Sequence, residues 1–356
     1  MRVAYLASTY DETNGWGRLA ARFLKELRVH NGAEAVVAPE ASAFRSIEIG
    51  PRQPLQALRD ALIFRRMFAG TDVIYAATEP MALLGYILSR LLKKPLIIAV
   101  AGTFADLSVY PRTVRWLYRR AFRAAAAVTV LSRYTGEVLK RSLPDIEPVI
   151  VPGGFDAPAE AIPREALHRP PRLLTVGYLK PRKGYHTLVE ALGLVRQRGQ
   201  TFRADLVGRK DMGEYVASLE RKISERGMSG DVRLRGMISQ DELDAAYAEA
   251  DLFVLPSEHS GSAFEGLGLV FLEALARGIP VIGTLDSGAT DIIEDGKNGR
   301  LVPPGDPNAL AAAVIAVISD ETAWKQMAAA APASVERFRW SDVGERLQAV
   351  LVGSVT

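Results

Sequence analysis

Two glutamates separated by seven residues, Glu265 and Glu273, bracket the run Gly266, Leu267, Gly268, Leu269 and Val270. The apolar pattern that follows predicts a helix over about 270–277, stopped by Gly278 and Pro280. One carboxylate then lies in a glycine-rich loop and the other about one turn inside the helix. A helix start presents unpaired backbone N–H groups and the positive end of a dipole, which suit a phosphate. Carboxylates beside it can accept hydrogen bonds from hydroxyl groups. A sugar joined to a diphosphate would use both. Ordinary helix capping uses the same residue types, so the pattern has a purely structural explanation as well. Glu273 pulls away from that explanation. Its neighbours Phe271, Leu272, Ala274 and Leu275 are apolar, and a half-buried carboxylate needs a partner.

Two other stretches carry chemistry. Residues 176–184 hold Tyr178, Lys180, Arg182 and Lys183 between a strand-like run and the apolar helix expected over 188–195. Three cations in one strand-to-helix loop fit phosphate binding or a solvated turn. Near the N-terminus, Gly15 and Gly17 stand at the start of a helix bearing Leu19, Phe23, Leu24 and Leu27 on one face. Glycine there lets the backbone approach a phosphate or a sugar. The loop is too long for a dinucleotide fingerprint, and a third glycine at the required spacing is missing.

Other chemistries are poorly supported. The chain has no cysteine, which removes thiolate metal sites and cysteine nucleophiles. Its four histidines, His30, His168, His186 and His259, have no metal-ligand spacing, and Asp-x-Asp does not occur. No metal and no resident cofactor are expected. Neither G-x-S-x-G nor a Walker sequence is present, so Ser257, Ser260 and Ser262 read as loop residues.

The elements that must position these residues alternate. Strand-like runs at 3–9, 35–38, 73–77, 96–100, 127–131 and 149–151, then 173–177, 204–208, 232–235, 252–255 and 280–283, are separated by helical patterns. That is the signature of parallel sheets covered by helices. At 356 residues, two α/β domains are expected. The break falls at Pro152, Gly153 and Gly154, followed by an Ala/Pro-rich linker. The expected divisions are 1–155, 156–335 and a closing helical piece, 336–356, that returns to the first domain.

Charge is uneven. Residues 1–150 carry 21 Lys and Arg against 13 Asp and Glu, while the remainder carries 23 against 28. Arg112, Arg115, Arg119 and Arg123 share one face of an expected helix that also holds Trp116, Leu117, Tyr118 and Phe122. Such a helix suits either solvent or an anionic membrane surface. Nucleic acid is not expected as a partner, because no recognised module accompanies the charge. No apolar run approaches the ~18–20 residues of a membrane span. Met1-Arg2 runs directly into a strand-like segment without a secretion signal. A cytoplasmic protein, associated with the cytoplasmic face of a membrane, is the expectation.

Taken in order, the motifs resemble glycosyltransferase family 4, retaining enzymes of the GT-B fold. The resemblance is carried by the Glu265–Glu273 spacing and by the run 250–257 (ADLFVLPS). It continues through 272–282 (LEALARGIPVI) and 296–307 (GKNGRLVPPGDP), with Lys183-Gly184 and the Gly15/Gly17 loop. It implies two Rossmann-like doubly wound domains facing each other across a cleft. It also implies a hexosyltransferase that moves sugar from a nucleotide-diphosphate sugar, such as a UDP- or GDP-sugar, to a saccharide or lipid-linked acceptor. Polysaccharide or glycolipid synthesis is the expected setting.

Roles follow from the resemblance alone. Glu265 would hold hydroxyls of the donor sugar, and Glu273 the ribose. The amides of Gly266, Leu267, Gly268, Leu269 and Val270 would cradle sugar and diphosphate. Lys183 would neutralise the departing diphosphate, and the base would lie near Gly236, Met237 and Ile238. The chain departs from the pattern twice. Tyr178 replaces a usual arginine, whose charge Lys180, Arg182 or Arg209 could supply. Ala101 stands where the acceptor-side loop often has histidine, a role open to Asp106 or Thr103. An epimerase of the same architecture, a non-catalytic partner subunit and a nicotinamide-dependent dehydrogenase are the alternatives.

Overall fold

The computed structural model describes residues 1–10, 15–31, 34–37, 53–156 and 165–355. Residues 11–14 of the first loop, Ala38 at the end of the second expected strand, and the linker stretch 157–164 lie outside them. The chain forms two compact units, Met1–Gly153 with Trp340–Thr356, and Gly154–Arg339.

The first unit contains β1 (Arg2–Leu6), α1 (Gly15–Asn31), β2 (Glu34–Val37), α2 (Gln53–Phe64), β3 (Val73–Ala76), α3 (Ala82–Leu92) and β4 (Leu96–Val100). It continues with α4 (Arg112–Ala124), β5 (Ala127–Val130), α5 (Arg133–Ser142) and β6 (Val149–Ile150). All its strands pair in parallel, in the order β2-β1-β3-β4-β5-β6. Val3 to Leu6 and Val73 to Ala76 are fully buried, so these strands are apolar throughout rather than alternating, as expected for strands covered on both faces. Alternate residues separate the layers. Tyr5 donates to the Ala20 carbonyl on α1 at 2.7 Å. The neighbouring Leu6, with Ala76 and Leu96, faces Gly85 on α3.

The second unit contains β7 (Arg172–Val176), α6 (Tyr185–Gln197), β8 (Arg203–Val207), α7 (Gly213–Glu225), β9 (Val232–Gly236), α8 (Gln240–Glu249) and β10 (Leu252–Val254). It continues with α9 (Leu269–Leu275), β11 (Val281–Thr284), β12 (Gly299–Val302), α10 (Pro307–Ser319) and α11 (Glu321–Ser334). Its sheet is also parallel, ordered β12-β11-β10-β7-β8-β9. Leu188, Val189, Leu192 and Val195 of α6 meet Leu310, Val314 and Val317 of α10 and the buried Trp324 in one core. The closing helix α12 (Trp340–Val355) belongs to the first unit, where it packs on α1 through Trp340 against Phe23.

Several elements differ from the sequence-based expectation, β1 ending three residues before the expected strand and α6 running longer at both ends. β12 was not expected as a strand: it is four residues long, sits among glycine turns and includes Arg300, so its alternation is too brief to read. α2 begins earlier and ends sooner than the helix that the run 59–68 (RDALIFRRMF) suggests, because Leu55, Leu58 and Leu62 on its exposed side obscure its helical period. α9 is one residue out of register at its start and two residues shorter at its end.

Candidate active site

Every strand of the second unit that carries a candidate residue delivers it at its carboxyl end, where open α/β sheets bind ligands. After β7 the chain runs through Gly177, Tyr178 and the buried Leu179 into a 3₁₀ turn, Pro181–Lys183, and then into α6. Gly184 joins turn and helix with φ +67°, and a Cβ there would fall 1.8 Å from the Pro256 carbonyl oxygen. Only glycine satisfies both demands. That contact brings the loop after β7 against the loop after β10, and a 2.8 Å bond from the Glu258 amide to the Arg182 carbonyl joins them further.

The junction gathers charge. Lys183 Nζ donates to Glu265 Oε2. Arg182 Nη1 reaches the same oxygen at 3.4 Å and the Phe264 carbonyl at 2.8 Å. Ser257 Oγ donates to it at 3.1 Å. Burial alone would push the Glu265 carboxyl up, but Lys183 and Arg182 outweigh it and hold the group at about 2. Burial draws Lys183 below the usual lysine range, against the attraction of Glu265 and with the repulsion of Arg182. Lys180 is brought down to about 8 by burial and by Arg182 and Lys183. Its ammonium lies over the Tyr178 ring at 5.2 Å. Two cations thus contact one carboxylate, with Lys180 within electrostatic reach of all three groups, leaving an excess of positive charge suited to an anion.

The loop after Glu265 is fixed by close packing. The Gly288 amide donates to the Glu265 carbonyl at 2.8 Å. Gly266 and Leu267 are buried, and Gly268 leads into α9 with φ +87°. Leu269 and Val270 are the first two residues of the helix, half exposed, so their amides belong to the turn that lacks intrahelical acceptors. Glu273 is half buried and finds the partner that its apolar neighbours demanded. Tyr247 Oη donates to its Oε2 at 3.0 Å, and Arg277 stacks on the Tyr247 ring at 4.8 Å.

The remaining candidates of this unit lie at the ends of β8 and β9. Gly236 closes β9 with φ +73°, followed by the exposed Met237 and half-buried Ile238, before Ser239 and Glu242 cap α8 reciprocally. Arg209 pairs with Asp211 at 2.5 Å, and Tyr178 donates to the same carboxylate at 3.2 Å. Of the replacements considered for the missing arginine charge, Arg182 contacts Glu265, and Lys180 lies over the Tyr178 ring within electrostatic reach of that carboxylate. Arg209 is held by Asp211.

In the first unit, Gly15 is exposed and Gly17 buried in the first turn of α1, after β1. Trp16 between them meets Phe104, with centroids 5.5 Å apart, and Phe104 continues through Tyr110 to Tyr118. Asp106 caps the turn Leu107–Val109, accepting from Ser108 N at 2.8 Å and Ser108 Oγ at 2.7 Å. Ala101 is buried, and its amide is bound by a carboxylate.

That carboxylate, Glu79, was missed by the sequence reading, as was the cluster around Glu258. Glu79 follows β3, is fully buried, and accepts the amides of Ala101 and Gly102 at 2.9 Å each. Burial raises its pKa despite these bonds, and its Oε2 has no partner among the described residues. Glu258 accepts from Thr187 Oγ1 and pairs with His186 Nε2 at 3.3 Å. His186 Nδ1 lies 3.0 Å from the Tyr215 hydroxyl. Burial would raise Glu258, yet these bonds bring it below the usual range. The only sequence signals were adjacency to Ser257 and a histidine two residues after Gly184.

Comparison with known proteins settles the family. The model of Glycosyltransferase Family 4 matches residues 13–158, and that of Glycosyl transferases group 1 matches 159–334. The GDP-mannose-dependent alpha-(1-6)-phosphatidylinositol monomannoside mannosyltransferase of Mycolicibacterium smegmatis is 31% identical over 294 residues, 79% of this chain and 76% of that protein. The chain belongs to glycosyltransferase family 4. This family 4 enzyme is a hexosyltransferase that acts on nucleotide sugars. The amylovoran biosynthesis glycosyltransferase AmsK of Erwinia amylovora is 34% identical over 174 residues, 49% of this chain and 42% of that one. Anabaena Alr3699/HepE, solved with UDP, superposes with a TM-score of 0.80 at 21% identity, covering 99% of this chain and 100% of that chain. The lipopolysaccharide outer core galactosyltransferase WaaB gives 0.75 at 18%, covering 99% of each. The fold of this family 4 enzyme is GT-B, as the resemblance implies, with the parallel sheets that the alternating strands and helices lead one to expect.

Proposed function

We propose that this enzyme is a retaining, metal-independent transferase that moves a hexose from a nucleoside-diphosphate sugar to a saccharide or lipid-linked acceptor. Its setting is cell-surface polysaccharide or glycolipid synthesis, with the basic first unit against an anionic membrane at the cytoplasmic face. The contact of Lys183 and Arg182 with Glu265, with Lys180 within electrostatic reach of them, carries the proposal. Cleavage of the bond between the anomeric carbon and the diphosphate sends its electron pair to a phosphate oxygen. Fixed cations stabilise that charge more as it develops than before, which is what accelerates a reaction. They supply what a divalent metal supplies in other transferases. Among the described residues, no group of three or more His, Asp or Glu side chains could hold a metal ion.

Glu265, ionised down to about pH 2, accepts hydrogen bonds from donor-sugar hydroxyls, and Glu273 accepts them from the ribose. The acceptor oxygen attacks the anomeric carbon on the face that the diphosphate leaves. Its proton passes to a phosphate oxygen, so no protein base is needed. The M. smegmatis relative is named for GDP-mannose, and HepE was solved with UDP. UDP-, GDP- and ADP-sugars are therefore the donors to compare.

The test is a thermal-shift screen of those donors, followed by transfer to saccharide and lipid-linked acceptors with and without EDTA. Expected are a stabilising donor, undiminished turnover in EDTA, and a product that keeps the donor's anomeric configuration by NMR. A metal requirement or an inverted product overturns the mechanism. Isomerised sugar nucleotide formed without any acceptor favours the epimerase.

A further inference from the structure

In an open parallel sheet, ligands bind beyond the carboxyl ends of the strands, where neighbouring connections leave in opposite directions. In the first sheet β1 has β2 on one side and β3 on the other, and the chain runs from β3 outward to β4. The crevice of this unit therefore opens beyond β1 and β3. Thr78 Oγ1, after β3, donates to Ser8 Oγ, after β1, at 3.3 Å.

Two half-exposed rings stand at this end of the sheet. Trp16 belongs to the first turn of α1, and Phe104 to the short turn Thr103–Ala105 after β4. Their centroids lie 5.5 Å apart. Behind them Phe104 meets Tyr110 at 5.7 Å, and Tyr110 meets Tyr118 at 3.9 Å, both tyrosines fully buried. The Tyr118 hydroxyl donates to the Pro80 carbonyl at 3.4 Å. Glu79, next in the chain to Pro80, holds the amides of Ala101 and Gly102, which lead into the Phe104 turn. The turn is thus fixed by a ring stack on one side and a carboxylate on the other.

The inner two rings of this stack serve the core. The outer two keep part of their surface in water at the ligand-binding end of the sheet, in loops that also carry the half-exposed Thr9 and Thr103. An aromatic face is electron-rich and takes the weakly positive C–H face of a pyranose, while threonine hydroxyls serve its hydroxyl groups. Rings already held in place lose little freedom on binding.

We infer that Trp16 and Phe104 form the platform on which the acceptor's terminal sugar stacks. The inference rests on the transfer reaction proposed above, and it narrows the acceptor to one that ends in a pyranose ring. A nucleobase would also stack on such rings. It fits less well, because the cations suited to a diphosphate, Lys180, Arg182 and Lys183, belong to the second unit.

The experiment is saturation-transfer difference NMR on the full chain, with UDP or GDP present. The probes are the methyl α-D-pyranosides of mannose, glucose and galactose, with D-mannitol as a polyol that has no ring. At least one glycoside should receive saturation, concentrated on the C–H protons of one ring face, and mannitol should receive little. Trp16→Leu and Phe104→Leu keep apolar volume without a ring, and each should weaken that glycoside about tenfold, the scale of one lost aromatic contact. Trp16→Phe should restore most of the affinity. The melting temperature and the nucleotide-induced thermal shift of these variants should stay close to those of wild type.

Saturation spread evenly over the ring protons of wild-type complexes would overturn the inference without any variant. So would glycoside binding that survives both leucine substitutions, which would leave the rings as packing. If Trp16→Leu instead removes the thermal shift given by UDP or GDP, a nucleobase occupies the platform and the inference fails. If wild type binds nucleoside diphosphates but no glycoside, the platform fails and the donor reading stands. Binding of neither would sink both.

Discussion

The two sheets use buried carboxylates in opposite ways at their carboxyl ends. In the second unit Glu265 meets Lys183, Arg182 and a serine hydroxyl, and stays ionised. In the first unit Glu79 meets backbone amides, its pKa is raised, and one oxygen is left without a partner among the described residues. Both groups lose hydration. The difference is whether a cation is fixed beside them, and that decides which form burial favours. A carboxylate held charged among surplus cations can bind a phosphorylated sugar. One bound to the amides of Ala101 and Gly102 holds a loop in place instead. The first unit shapes its loops by packing, through Trp16, Phe104, Tyr110 and Tyr118, more than by charge.

Substitutions can break this contrast, and the largest effect belongs to the charged side. Lys183→Ala should lower kcat by about three orders of magnitude, the scale of a lost transition-state charge contact. Its fold should survive, because Arg182 and Ser257 still satisfy Glu265. Steady-state transfer kinetics alongside a melting curve check both halves. Glu79→Ala should act through stability instead. Two buried amides lose their acceptor and a cavity opens, costing about 2–4 kcal/mol in denaturant unfolding. Glu79→Gln keeps an oxygen facing those amides and should cost much less. If Glu79→Ala instead left stability intact and removed turnover, the first sheet would carry chemistry of its own.

Smaller effects sharpen the comparison. Glu258→Gln should reduce kcat/KM by about tenfold, because Glu258 anchors His186 and Thr187 at the start of the helix that follows the cation loop. Double substitution with Lys183→Ala should be less than additive if the two act through one loop. The smallest effect is in pH. Lys180 is charged below about 8 and loses its proton above it, so donor KM should rise as pH passes through that value. Lys180→Gln should remove that rise. For stability, the Glu265 pKa is depressed in the folded state. Its contribution is present above the unfolded carboxyl range and is lost as pH falls from there toward about 2. Acid unfolding followed by circular dichroism should show wild type losing stability across that window, and Glu265→Gln losing less.

The charged cluster of the second unit was legible because its parts are local in sequence. Lys180, Arg182 and Lys183 fall within four residues, and Glu265 with Glu273 frames a single loop and helix. Repeated strand-helix alternation exposed both sheets in the same way. Glu79 was not legible. It pairs with amides 22 and 23 residues away, and no side-chain type in the loop after β4 announces the contact. His186 and Glu258 are 72 positions apart and meet only because Gly184 lets two loops close against each other. The outward leucines of α2 were hidden for a different reason: an apolar residue in a helix is read as core until its neighbours are known.

The most direct measurement of the donor-site chemistry is the thermal shift given by nucleoside diphosphates and their sugars to wild type and Lys183→Ala, with EDTA present throughout. Wild type should be stabilised by at least one of them in proportion to its saturation, and Lys183→Ala should be stabilised far less at the same concentrations. Equal stabilisation of both proteins, or stabilisation that disappears in EDTA, would contradict a site in which fixed cations hold the diphosphate.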